Sequence, residues 1–135
     1  MLTDELRETL LETALQARKW SYAPYSKYRV GAALITTSGR IYDGVNIENA
    51  AYPLTICAER VAIFKAISEG DRDFVALAVV SDNGAYPCGS CRQVLAEFGL
   101  ETQVIIADGV GKSIHQTTVR ELLPQAFRPE NLITA

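Results

Sequence analysis

Hydrophobic and polar positions along the chain change period several times, and each change marks an element. After Thr3, with Asp4 and Glu5 next to it, apolar side chains at Leu6, Leu10, Ala14 and Ala17 recur at helical spacing. Thr3 is a suitable N-cap, and acidic residues in a first turn complement the positive end of the helix dipole. Residues 30–36 and 40–46 read as strands on either side of Thr37-Ser38-Gly39, which predicts a hairpin-like turn. Pro53 and Thr55 introduce a helix over 57–69, closed by Gly70. The run at 75–81 reads as a buried strand. Pro87 suits the first turn of a helix that runs toward Phe98 and stops at Gly99. A strand at 103–107, a weaker one at 113–119 and a short helix at 119–123, ended by Pro124, complete the series.

No linker or repeat interrupts this series, so a single domain over residues 1–135 is expected. Helices covering a central sheet are the natural assembly for such an α/β chain. The order is not a strict strand–helix–strand alternation, so the sheet is expected to be mixed.

Composition narrows the setting. At 135 residues and 48% hydrophobic, the chain can bury a core without disulfides, and an odd count of three cysteines argues against a disulfide framework. A formal net charge of −3 disfavours a nucleic-acid platform, which usually carries a basic face, and points toward a small uncharged partner. Thr3-Asp4-Glu5 is acidic where a secretory leader would be basic and then apolar. The longest apolar stretches are too short to span a bilayer, so no membrane partner is expected. A cytoplasmic, reducing location follows as an expectation, and it would keep the thiols available for metal.

Those cysteines stand in two patches, Cys57-Ala58-Glu59 and Pro87-Cys88-Gly89-Ser90-Cys91. Three thiolates give Zn²⁺ three protein ligands and leave one tetrahedral position for water, and Glu59 is placed to move that water's protons. This is the known signature spacing of zinc nucleobase deaminases, with His or Cys as first ligand. The predicted elements put Cys57 and Cys88 in the first turns of two helices, where the local positive charge lowers thiol pKa values. Cys91, three residues on, shares a face with Cys88. A closed structural zinc site would need a fourth ligand, and only His115, in a polar strand-like segment, is available. Inert core cysteines are the other bland reading. The want of a convincing fourth ligand favours an open, catalytic site.

Further motifs carry a closer resemblance. They are Ala23-Pro24-Tyr25-Ser26-Lys27, Val30-Gly31-Ala32-Ala33, Gly44-Val45-Asn46-Ile47-Glu48-Asn49-Ala50, Cys57-Ala58-Glu59-Arg60, Cys91-Arg92-Gln93 and Glu121-Leu122-Leu123-Pro124. With these the chain resembles the cytidine deaminases of the small, three-cysteine, homotetrameric kind, nearly end to end. The resemblance implies a cytidine-deaminase-like fold and zinc-dependent hydrolytic deamination of cytidine and 2′-deoxycytidine in pyrimidine salvage. It implies Cys57, Cys88 and Cys91 as zinc ligands and Glu59 as the proton shuttle to N3 of the pyrimidine and to the departing amine. Asn46 and Glu48, two apart at a strand end, would bind the ribose. Tyr28 and the Ala58 backbone would hold the base, and Phe127 would reach into a neighbouring subunit's pocket, so that active sites are shared. Three thiolates leave zinc with a net negative charge, and hydrogen bonds from Arg60 to the sulfurs are the natural remedy.

Two features depart from the family pattern: Tyr28 stands where phenylalanine is usual, and the connection at 82–86 is short. The tyrosine hydroxyl needs a partner. The alternatives are deamination of a cytidine-like nucleoside antibiotic, against which the run 46–49 argues, and a zinc-stabilised binding module.

Overall fold

The computed structural model describes residues 2–110 and 114–132. Strand-forming runs at β1 (Gly31–Thr36), β2 (Ile41–Val45), β3 (Phe74–Ser81), β4 (Gln103–Asp108) and β5 (Ile114–Thr118) make one sheet in the order β2-β1-β3-β4-β5. β3 and β4 pair in parallel and the other neighbours are antiparallel, so the sheet is mixed as expected. The parallel pair needs a crossover, supplied by α3 (Gly89–Phe98).

Side-chain alternation along the strands builds two cores, one on each face of the sheet. Ala33, Ile35, Ala76, Ala78, Val80, Ile105 and Ala107 point to one face and pack under Leu10 and Ala14 of α1 (Asp4–Ala17). Ala32, Leu34, Leu77, Val79, Val104 and Ile106 point to the other, beneath α2 (Ala58–Ser68) and α3, with Val119 of α4 (Val119–Leu122) closing the end. Both cores are rich in alanine, and small side chains let helices approach the sheet closely. At Gly44 of β2 a Cβ would lie 2.4 Å from the Ala58 carbonyl oxygen and 2.6 Å from the Ala62 nitrogen, both backbone atoms of α2. α2 therefore rests directly on the β2 backbone.

The helix ends follow their sequence signals. The Thr3 hydroxyl accepts from Leu6 N–H at 3.1 Å, as an N-cap should. Gly70 closes α2 at φ +85°, a conformation that favours glycine, and Asp71 N–H returns to the Ala66 carbonyl at 3.0 Å. Asp71 then ties this corner to the hairpin: one carboxylate oxygen accepts from Thr36 and Ser38 at 2.6 Å and from Tyr42 at 3.1 Å.

Several boundaries differ from the expected ones. Val30, Arg40 and Asn46 lie outside the strands; at the Val30–Asn46 end, Val30 N–H donates to the Asn46 side-chain oxygen at 2.9 Å instead of to a ladder carbonyl. Cys57 and Cys88 are N-caps with extended backbone, at ψ 152° and 168°, instead of first-turn residues, and Pro87 precedes its cap. Ser113 falls outside the described residues. No helix among the described residues is long and apolar enough to cross a membrane.

Candidate active site

Two helix starts and three strand ends converge on one side of the sheet. β1 begins there, β2 and β3 end there, and α2 and α3 point their N-termini into the same space. The backbone after β2 is held by the paired bonds between Ile47 and Ile56, both at 3.0 Å, which deliver the chain to Cys57. A cavity of about 200 Å³ opens here, walled by Tyr28, Val30 and Asn46 on one side and by Val79, Ser81, Ala85 and Tyr86 on another. Cys57, Ala58, Glu59 and Cys88 form its floor.

The three thiols meet at this floor. Their sulfurs all lie within 4.8 Å of one another, with Cys57–Cys88 at 3.7 Å and Cys88–Cys91 at 3.6 Å. Sulfurs sharing a tetrahedral zinc at about 2.3 Å stand about 3.8 Å apart, whereas a disulfide needs about 2.05 Å. The donor set therefore fits zinc. Among the described residues no fourth His, Cys, Asp or Glu ligand atom joins the group. His115, on β5, instead lies against the Tyr86 ring, with centroids 6.3 Å apart.

N-capping by cysteine explains how the thiols come together. Extended backbone at the cap turns the side chain outside the helix, and neither thiol makes a capping hydrogen bond to the first-turn N–H groups. Cys57 and Cys88 take that position on two different helices, while Cys91, one turn into α3, lies beneath them and is fully buried. A hydrogen bond from Cys91 and the Arg60 guanidinium draw the pKa of Cys57 to about 5, against the opposing effect of burial. The Cys91 thiol is pushed up, first by donating to Cys57 and then by burial. Arg60 reaches Cys57 Sγ at 3.5 Å, and the bond to Cys57 raises the pKa of the guanidinium. Among the described residues the buried Arg60 Nε has no hydrogen-bond partner.

Glu59, on the second residue of α2, is only 5% exposed. Burial pushes its pKa up to about 7, with a smaller contribution from the Cys57 charge. A carboxyl poised near neutrality can take and return a proton at working pH, which is what general acid/base chemistry requires.

The remaining expected residues are placed unevenly. Asn46 borders the cavity, but its amide also stitches the chain together: Oδ1 accepts from Ser21 Oγ and from Val30 N–H at 2.9 Å, and Nδ2 donates to the Tyr28 carbonyl at 2.6 Å. One Nδ2 hydrogen remains for a ligand. Glu48 lies in an adjoining hollow with Tyr25, Ser26, Tyr52 and Thr55. Its carboxylate accepts from the Ser26 hydroxyl and from the Tyr25 and Ser26 N–H groups, and that bonding, the hydroxyl first, lowers its pKa. Tyr28 is half-buried on the cavity wall, and its hydroxyl has a partner in Asn83. Phe127 is 56% exposed and does not line the cavity of its own chain, and its carbonyl accepts from Gln93 at 2.9 Å. Arg92, beside Cys91, binds the Pro87 and Leu122 carbonyls.

Sequence reasoning missed Ser21, Ser81 and the Ala85–Tyr86 wall. Period-two alternation through Val79 and Ser81 was the available signal, since both point to the face that α2 and α3 cover. Ser21 carried none.

Residues 4–107 match the family model described as the cytidine and deoxycytidylate deaminase zinc-binding region. The chain is 50% identical over 127 residues to the cytidine deaminase of Sporosarcina psychrophila, covering 93% of each. It is 51% identical over 129 residues to that of Halalkalibacterium halodurans, covering 93% of this chain and 97% of the relative. The crystal structure of cytidine deaminase from Burkholderia pseudomallei superposes with a TM-score of 0.87 at 42% identity, over 93% of this chain and all of that one. The chain belongs to the cytidine and deoxycytidylate deaminase family, with the α/β fold of that family. The zinc-binding region and the three-cysteine cluster together make Zn²⁺ its cofactor.

Proposed function

We propose that this protein hydrolyses cytidine and 2′-deoxycytidine to uridine and 2′-deoxyuridine, releasing ammonia, as a cytoplasmic enzyme of pyrimidine salvage. The observation that carries the reading is the union, in one small cavity, of three clustered thiols with a buried carboxyl of near-neutral pKa. Cys57, Cys88 and Cys91 would hold the zinc, which when bound supplies Lewis-acid activation of the attacking water.

The chain's own groups do the rest. Glu59 accepts a proton from the water and delivers it to N3 of the pyrimidine, then takes the proton of the hydroxyl added at C4 and passes it to the leaving amine. Arg60 lies against Cys57 and offsets the charge of three thiolates. Tyr28 and the Ala58 backbone hold the base, while the free Nδ2 hydrogen of Asn46 and the carboxylate of Glu48 bind the sugar hydroxyls. Glu48 favours a free nucleoside, since its negative charge would repel a 5′-phosphate. Residues 1–135 act as one domain. Phe127, exposed in its own chain, completes a neighbour's pocket in a homotetramer.

The test is zinc content together with the fall in absorbance as cytidine becomes uridine. One zinc per chain with turnover of cytidine, and little with cytidine 5′-monophosphate, is the expected result. Efficient turnover of the monophosphate overturns the nucleoside assignment. Full zinc with turnover of neither overturns the catalytic one.

A further inference from the structure

The segment 82–86 supplies Ala85 and Tyr86 to the outer wall of the cavity and leads straight to Pro87 and Cys88. Asp82, Asn83, Ala85 and Tyr86 are exposed, and Gly84 sits at φ +67°. Within the segment, Ala85 N–H donates to Ser81 Oγ at 3.1 Å. Ser81 Oγ also donates to Asn83 Oδ1 at 3.5 Å, and the Tyr86 ring lies against His115. Two further ties run to the segment before β1. The Tyr28 hydroxyl donates to Asn83 Oδ1 at 2.6 Å. Beside it the guanidinium of half-buried Arg18 donates to the Arg29 carbonyl at 3.1 Å and pairs with Asp82. Residues 28 and 29 are thereby tied to residues 83 and 82 by two parallel links.

The near end of this bridge is rigid. Tyr28 N–H donates to Ser26 Oγ at 3.0 Å, and its carbonyl accepts from Asn46 at 2.6 Å. The ring is fixed at its backbone end and anchored at its hydroxyl end, and its body faces the cavity. A ring that both lines a pocket and grips the opposite wall sets the distance between the two walls.

We propose that Tyr28 and Asn83 form a clasp that fixes the width of the nucleoside pocket, making Asn83 a positioning residue for substrate binding. The proposal rests on the nucleoside-deaminase reading above. Asn83 touches no substrate. It holds the wall formed by Ala85 and Tyr86 at the separation the base requires, while the Arg18 link limits how far the loop moves when the clasp opens. Releasing the clasp enlarges the set of loop positions without touching the thiols or Glu59. The loss therefore falls on binding instead of the chemical step, since only a fraction of the population stays ready to bind.

The experiment is a double-mutant cycle on steady-state kinetics with cytidine, using the zinc-loaded protein and the variants Tyr28→Phe, Asn83→Ala and both together. Tyr28→Phe keeps the ring and removes only the hydroxyl. Each single variant is expected to raise KM about 3- to 10-fold, the scale of one neutral hydrogen bond, with kcat within about 2-fold and zinc content unchanged. The double variant should be no worse than the poorer single one, because both remove the same contact. Asn83→Asp keeps the acceptor and should keep KM within about 2-fold of the unmodified protein. Unchanged KM in the single variants, with or without a loss of thermal stability, overturns the clasp, as do losses that multiply in the double variant. A protein that fails to turn over cytidine before any substitution overturns the deaminase reading and the clasp with it. Unchanged KM in variants of an active protein overturns the clasp alone.

Discussion

Replacing Gly44 with alanine puts a methyl group where α2 rests on β2. The new Cβ would stand 2.4 Å from the Ala58 carbonyl oxygen and 2.6 Å from the Ala62 nitrogen, against the 3.4 Å at which ordinary van der Waals contact begins. Both are backbone atoms, so no side-chain rotation relieves the clash, and strand and helix must part by about 1 Å. Overpacking of this kind costs about 1–3 kcal/mol, and the backbone contact puts Gly44→Ala at the upper end. The displaced helix carries Glu59 and, at its cap, Cys57, whereas Cys88 and Cys91 belong to α3 and stay behind. Metal sites tolerate shifts of only about 0.2 Å, and a 1 Å misplacement of a catalytic group can cost about 100-fold in rate. Urea unfolding, zinc retained per chain after dialysis against a weak chelator, and cytidine turnover should all fall together. Gly89→Ala is the control. Beyond its chain neighbours and its own helix backbone no atom lies within 4 Å of its Cβ, although it stands between Cys88 and Cys91 in the chain, so stability should hold within about 0.5 kcal/mol or rise slightly. Gly44→Ala protein with ordinary stability and full zinc would refute the argument that this strand sets the height of the helix.

Glu59→Gln keeps the shape of the carboxyl but cannot accept a proton, so zinc should stay while turnover falls by about 10⁴-fold, at the upper end of general acid/base effects. Near-normal turnover in zinc-replete protein would remove Glu59 from the mechanism. Glu48→Ala should lower kcat/KM for cytidine by about one to two decades, the scale of a charge-assisted hydrogen bond, and leave the free base cytosine little affected. Equal losses on both would deny the sugar contact. Asp71 has its pKa lowered by the hydroxyls of Ser38 and Thr36, then by Tyr42 and Arg40, so its stabilisation is present above the ordinary aspartate value of about 3.8 and is lost as pH falls through the depressed one. Asp71→Asn should accordingly be less stable than the unmodified protein at neutral pH, with the gap closing in acid, and a gap independent of pH would refute the assignment. Co-refolded Glu59→Gln and Phe127→Ala chains should exceed the summed activity of the separate variants if Phe127 serves a neighbour's site. Strict additivity, with mixing confirmed by mass, would return Phe127 to its own chain.

The elements with strong periodicity were legible in advance. α1 and β3 announce themselves through Leu6, Leu10 and Ala14 and through an unbroken apolar run, because burial on one helix stripe or on both strand faces dictates those patterns. The thiol cluster was equally plain, since the metal demands specific donors at specific spacing. What stayed hidden depends on chain segments far apart in sequence. The use of Asn46 as a stitch to Ser21 and Val30, and the partner that Tyr28 finds in Asn83, arise only when the segment before β1 meets the ends of β2 and β3. The cap positions of Cys57 and Cys88 were missed by one residue, since capping depends on backbone dihedrals that residue type alone leaves open.

The two helix caps that carry thiols are 31 residues apart in the chain, with α2, β3 and the loop after it between them. Under the proposed ligation a single ion joins the ends of that stretch, and topologically it is a cross-link. By the chain-entropy relation used for disulfides, closing a loop of this length restricts the unfolded chain by about 4 kcal/mol at 25 °C. Chelation would then do more than silence a catalyst. It would reopen a loop spanning the middle of the sheet and one of its covering helices, so the lifetime of the fold and the occupancy of the metal become one property.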